Sequence, residues 1–360
     1  MLQNRFRTLI IIPKSKATIV AIFHNDVCIV KEKIIHPLKD IENLTTAEQV
    51  QLRKNKIMET LLDLGINISK LDAIAASGGL IRPLEGGTYE INQAMLEDLA
   101  SAYNGKHASN YGGLIAAEIA KGIHVKSFIV DPPVVDELSY LAKISGYPTI
   151  ERKSIFHALN QKAVARLTTI ELNKVYEETN LIVAHLGNGI TIGAHKQGKV
   201  IDVNNGLHGD GPFSLERAGT IPSEDLIELC FSGKFDQQSL IRDITYNGGL
   251  NGYLKTDNIR EIEKAIENGD SFANDVLQAM AYQIAKEIGA MAAVLHGLVD
   301  GIVLTGELSR SKILIDYITK QIDWIADIFH YPGEHDIEAL NAGTLRVLRG
   351  EEHPKQYIVS

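Results

Sequence analysis

The chain has 360 residues, 45% of them apolar and 22% charged, which is the composition of an ordinary globular protein and excludes a disordered one. That length predicts two domains, each large enough to bury a core of its own. A formal net charge of −9 argues against nucleic acid or an anionic membrane as the main partner, so a phosphate or carboxylate ligand has to be held by a few local groups. The two cysteines, Cys28 and Cys230, lie far apart, each inside an apolar run. They are expected to be buried free thiols and not a disulfide or a metal pair. The first apolar run, residues 9–12, stops at Pro13 and is too short for a secretory segment. No stretch approaches the ~20 apolar residues of a spanning helix. The expected location is cytoplasmic.

In chain order, three β-branched runs come first: TLIII, TIVAIF and VCIV. A helical pattern follows over residues 46–64, then a strand at 71–75 running into Gly78 and Gly79. Helices are expected near 92–102 and 112–121, with a strand at 127–130. The second half opens with a helix over 155–172 and the strands LIVAH, ITIGAH and KVIDV. Helical runs then fall at 223–231, 259–268 and 275–299, the last feeding a strand at 301–305. A final helix at 341–349 is expected to return to the first domain. No low-complexity linker interrupts the chain. The opening three strands and the LIVAH–ITIGAH–KVIDV set read alike, each with a tight turn before its third strand (Asn25-Asp26 and Gln197-Gly198). This predicts two copies of one domain type, although three-strand meanders also arise independently.

The stretch with most chemical content is HLGNGITIGAHKQGKVIDVNNGLHGDGPFSLERAG, residues 185–219. Gly187-Asn188-Gly189 falls between two strands. Glycines there let backbone N–H groups approach an anion without a Cβ in the way. Asn-Gly is equally the preferred signal of a plain hairpin, so spacing alone leaves both readings open.

HLGNG, followed by GAHKQGKVIDVNN, GDGPFSLERAGT and NGGLNGYL, is similar to the signature of the acetokinase family of carboxylate kinases. HASN, VDPPVVDEL and IERKSIFHALNQKAVAR resemble its butyrate kinases in particular. The resemblance runs over nearly the whole chain and implies a duplicated ribonuclease-H-like α/β fold, two domains about a central cleft, as in actin, heat-shock chaperones and sugar kinases. The implied domains are 1–152 plus 341–360, and 153–340. The implied reaction is reversible phosphoryl transfer from ATP to a short-chain carboxylate, giving an acyl phosphate, with Mg²⁺ and in a homodimer or larger homo-oligomer. A carboxylate is already ionised at neutral pH, so such a site needs alignment, positive charge and hydrogen-bond donors more than a base.

By the same resemblance, Arg217 and His185 meet the transferring phosphoryl group, a task suited to the planar guanidinium fork. Asp131 and Glu334 are the acidic residues near Mg²⁺, where a hard cation takes oxygen ligands. His107 and His157 fall on the substrate side. Gly187, Asn188, Gly189, Gly306, Ser15 and Thr18 fall at the nucleotide and its phosphates. Each has an ordinary structural alternative: a capping Asp, a structural His, an acidic helix start around Glu334.

Four places depart from the family pattern. Its Asn-Pro-Gly-Ser-Thr-Ser-Thr-Lys turn is here Ile-Pro-Lys-Ser-Lys-Ala-Thr-Ile, residues 12–19. Ser77 stands where an arginine is usual, Glu307 where the nucleotide turn has glycine, and Lys255 where another glycine is expected. An intact scaffold with eroded ligand positions implies weakened phosphoryl transfer, or a cleft used for binding or assembly alone.

Overall fold

The computed structural model describes residues 5–359. The chain divides into two compact units, one running to Val135 and resuming at His335, the other spanning Asp136–Glu334.

The first unit is built on a six-stranded sheet: β1 (Arg7–Lys14), β2 (Ala17–His24), β3 (Val27–Ile35), β4 (Ala73–Ser77), β5 (Thr88–Glu90) and β6 (Lys126–Val130), in the order β3-β2-β1-β4-β6-β5. β1–β2 and β2–β3 are antiparallel, while β1–β4 and β4–β6 are parallel. The run Leu9–Ile12 is apolar without alternation because β1 is central and covered on both faces. On one face the helices Thr46–Asp63 and Asn110–Ile123 set Val50, Ile57, Leu61, Ile115 and Ile119 against Leu9, Ile11, Val20 and Ile22. The helix Asp336–Leu348 packs on β1, β4 and β6.

The second unit repeats the plan. β7 (Asn180–Leu186), β8 (Ile190–Lys196), β9 (Lys199–Val203), β10 (Gly301–Gly306) and β11 (Ile328–Pro332) form a five-stranded sheet ordered β11-β10-β7-β8-β9. An antiparallel meander leads again into two parallel strands. The helices Ser271–Val294 and Lys312–Ile322 supply one core, with Leu277, Ile284, Ile288, Leu314 and Ile318 beneath β7 and β8. The helix Ala158–Glu171 sets Val164 and Ala165 against Leu181, Val183 and Val303.

The likeness extends to single hydrogen bonds. Asp72 takes the Arg7 amide on its carboxylate at 2.6 Å and donates its own amide to the Arg7 carbonyl at 2.8 Å. Asp300 does the same to Asn180, at 2.7 and 2.8 Å. Each unit therefore latches the foot of its first strand to the residue that leads into its fourth. The turns before β3 and β9 both open on a left-handed residue, Asn25 and Gln197, each at φ 51°.

Some expectations change. The junctions fall at 135/136 and 334/335, not after 152 and 340. Glu137 pairs with Lys162 and accepts the Val200 amide, which ties this stretch to the second unit, and the returning helix already starts at Asp336. The helix expected at 275–299 is Ser271–Val294: Asp270 caps it and the left-handed His296 and Gly297 end it. Both cysteines are exposed, not buried. Cys28 lies on edge strand β3, whose residues are mostly exposed, and Cys230 on the helix Ser223–Phe231, which buries no residue. No helix among the described residues is long and apolar enough to cross a membrane.

Candidate functional site

The most concentrated set of reactive side chains lies in the second unit, around the turn between β7 and β8. Leu186 pairs with Ile190, leaving Gly187-Asn188-Gly189 as the tip. The carbonyl of Asn188 accepts from Ser214 Oγ at 2.5 Å, and Ser214 Oγ also accepts the Arg217 amide at 3.3 Å, so this loop straps the tip down. Arg217 turns its Nη1 onto the carbonyl of Gly206. A Cβ on Gly189 would sit 2.3 Å from that nitrogen, and one on Gly187 would sit 3.1 Å from His185 Nε2. Gly189 thus leaves room for the Arg217 guanidinium, and Gly187 for the His185 ring. Burial pushes the Arg217 pKa down, opposed by Tyr246 and Glu216.

Beside the turn, His185 and His157 stack with ring centroids 3.8 Å apart and planes 12° from parallel. His185 comes from the end of β7 and is buried; its Nδ1 faces Asn160 Oδ1 at 3.1 Å and its Nε2 faces Glu334 Oε1 at 3.4 Å. His157 precedes the helix Ala158–Glu171 and meets Thr191 Oγ1 through Nδ1 at 2.9 Å. Thr305 donates to the same Asn160 oxygen at 3.1 Å, while Asn160 Nδ2 is buried with no hydrogen-bond partner. An orphaned amide donor, a guanidinium and two imidazoles beside a glycine turn form a set of donors suited to anionic oxygens.

Gly306 ends β10 at φ 89°, where its backbone presses on Leu186: an added Cβ would lie 2.3 Å from that carbonyl. Gly306 and Gly333 exchange amide hydrogen bonds at 3.2 and 2.9 Å, a bridge that leads the chain to Glu334. Glu307 forms an exposed ion pair with Arg310 at 3.0 Å.

In the first unit, Asp131 follows β6 at φ 38°, a costly conformation for a residue with a side chain, and accepts the Gly87 amide on Oδ1 at 2.7 Å. His107 is exposed, with Nδ1 2.6 Å from Ser109 Oγ. Ser15 is exposed at the tip between β1 and β2. Thr18 departs from expectation. It is 0% exposed, and its hydroxyl takes Arg53 Nη1 at 3.1 Å and pairs with His36 Nε2 at 2.8 Å, so it is spent inside the fold and cannot reach a phosphate. Ser77 Oγ is buried with no partner at the end of β4.

Residues 140–318 match the model of the acetokinase family. The likeness is to acetate kinases. The matched stretch lies wholly within the second unit and contains the glycine turn, both stacked histidines and Arg217. Among solved structures, Porphyromonas gingivalis acetate kinase matches with a TM-score of 0.78 at 18% identity, over 95% of this chain and 100% of its own. A propionate kinase from Francisella tularensis matches at 0.71 and 17%, over 93% and 98%. A ROK hexokinase from Thermus thermophilus matches at 0.51 and 12%, over 96% and 100%. The fold is therefore the two-domain α/β fold of acetate kinases and ROK sugar kinases, the actin-like duplicated fold.

Within the acetokinase-like segment, sequence reasoning passed over Asn160, Gln161, Thr191 and Gly193. Each looks like filler in an apolar helix or strand, yet Asn160, Gln161 and Thr191 are polar groups buried to 1% exposure or less. A signal was present, since a polar residue on a core-facing position demands a partner. It points to the need for a partner without naming one.

Proposed function

We propose that this chain transfers the terminal phosphoryl group of ATP to a short-chain carboxylate, butyrate or a branched-chain acid, reversibly forming an acyl phosphate. The observation that carries this reading is the donor set at residues 187–189, with Arg217 and the His157–His185 stack, inside the segment that matches the acetokinase family. Phosphoryl transfer to a group that is already anionic is governed by alignment and by donors for the equatorial oxygens. Arg217 and His185 take that role, Asn188 and the glycine amides hold phosphate, and Gly306 borders the nucleotide. His157 attends the carboxylate.

Mg²⁺ spreads the charge of the phosphates in such a transfer. No group of three His, Cys, Asp or Glu that could hold a metal occurs among the described residues. Mg²⁺ is commonly held by one or two carboxylates plus substrate phosphates. Asp131 and Glu334 each offer one carboxylate.

The eroded first turn, with Ile12 buried and Thr18 sealed inside, favours a turnover below the ~10 s⁻¹ typical of enzymes. The test is acyl hydroxamate formation from ATP and a panel of linear and branched acids. Slow product from wild type, raised by Lys14→Gly with Ile19→Lys, is the expected result. No product from any acid, in either protein, would refute the kinase reading.

A further inference from the structure

A chain of buried hydrogen bonds runs from the interior of the second unit to His157, and its directions can be read without ambiguity. It begins at an atom that can only accept, the backbone carbonyl of Thr191. Gln161 Nε2 lies 2.9 Å from that carbonyl and 2.9 Å from Thr191 Oγ1. The amide cannot be turned over, because its oxygen would then face a carbonyl oxygen. Gln161 Oε1 therefore points the other way, to His195 Nε2 at 3.0 Å, and that nitrogen carries a hydrogen. His195 is fully buried, and burial together with Lys162 pushes its pKa well down, so its ring is neutral. Its Nδ1 is consequently bare and accepts the Tyr176 hydroxyl at 2.8 Å.

On the other side, Thr191 Oγ1 already accepts from Gln161 and is 0% exposed. Its one hydrogen has a single acceptor among the described contacts, His157 Nδ1 at 2.9 Å. Placed there, it satisfies every donor along the chain; placed elsewhere, it leaves a buried hydroxyl unmade at full desolvation cost. Gly193 provides the room. Its φ is ordinary, but an added Cβ would lie 2.6 Å from Gln161 Oε1.

We propose that Gln161 and Thr191 are positioning residues that fix His157 as the neutral tautomer with its hydrogen on Nε2, so that this ring is a hydrogen-bond donor to an anionic oxygen and not a proton acceptor. This rests on the carboxylate kinase reading for the identity of that oxygen; the tautomer itself does not. Partners that fix the tautomer of metal-bound histidines are worth about 10–100-fold in activity, and an effect of the same order is expected for His157.

The experiment is long-range ¹H–¹⁵N spectroscopy of the histidine rings in the full chain, with His157 assigned by substitution, at pH 7.5. Wild type should show His157 with a protonated Nε2 and a hydrogen-bonded, unprotonated Nδ1. Thr191→Val, close to isosteric, should release it into a mixture of tautomers, Thr191→Ser should restore the single one, and Gly193→Ala should disturb it through Gln161. Acyl hydroxamate formation should fall about 10–100-fold in Thr191→Val and return in Thr191→Ser. A wild-type His157 protonated on Nδ1, or a spectrum unchanged by Thr191→Val while the remaining signals report a folded protein, would overturn the proposal. The expected spectra from a protein that phosphorylates no acid would uphold the hydrogen-bond chain and sink the kinase reading instead.

Discussion

The β1–β2 and β7–β8 hairpins occupy matching places in two sheets of the same order. At the first tip, the carbonyls of Lys14, Ser15 and Ala17 accept from the guanidinium of Arg53, and that of Lys16 from the His36 amide. Arg53 is 1% exposed, and its Nε is held by Gln49 at 3.1 Å. At the second tip Arg217 gives Nη1 to the carbonyl of Gly206 and closes on Gly189, while Gly187 leaves room for His185. One guanidinium holds a turn through three of its carbonyls; the other stands beside a glycine turn, bonded to the Gly206 carbonyl. The same residue type thus closes a turn in one unit and, on the proposed reading, meets a phosphoryl group in the other. Three carbonyls and a hydroxyl take up the Arg53 guanidinium, whereas Arg217 gives Nη1 to the carbonyl of Gly206.

The sharpest way to break this comparison is to remove Arg53. Arg53→Met strands buried carbonyls and the Thr18 hydroxyl, and should cost about 1–3 kcal/mol in urea unfolding for each group left without a partner. A loss under about 1 kcal/mol would show that water replaces the guanidinium and that the two arginines are not opposites. Next in size, Arg217→Ala should lower acyl phosphate formation about 10²–10³-fold, the worth of a donor to developing charge. It should shift the urea midpoint much less than Arg53→Met. The reverse ranking would make Arg217 the structural one.

The smallest effect sharpens the first turn. Burial, then Arg53 and Lys56, lowers the His36 pKa from 6.5 to about 4. Between those values the unfolded chain binds the proton and the folded one does not, so stability is full above pH 6.5 and is lost as the pH falls towards 4. Wild type should lose about 2 kcal/mol more than His36→Gln between pH 7 and pH 5. Equal losses would place the acid sensitivity elsewhere.

The duplicated sheets were legible because central strands are apolar on both faces and hairpin turns carry Asn-Asp or Gln-Gly. β11 was missed: its IFHYP is at most half-buried and too short for a period to register. The helix Gln237–Tyr246 was passed over although Asp236 and Ser239 form a capping box before it. At the site, Arg217, His185 and Gly189 could be named from the motif because glycine and charge stand out against apolar strands. Thr18 was misjudged for the converse reason. Its place in a phosphate-type turn is a local fact, but its fate is set by Arg53 and His36, residues from outside that turn. Gln161 and Thr191 fall between these cases: their buried amide and hydroxyl find each other only once helix and strand have packed.

The aspartate latch at the foot of each sheet also bears on how the chain could grow. Asp72 closes on a partner 65 residues away, Asp300 on one 120 residues away. Loop-closure entropy rises only with the logarithm of length, so the longer excursion costs about 0.5 kcal/mol more than the shorter. One reciprocal pair of hydrogen bonds at the base is of the same order. Segments inserted between the meander and the parallel strands, including the whole loop that bears Arg217, could accumulate with almost no thermodynamic penalty while the sheet beneath kept its register.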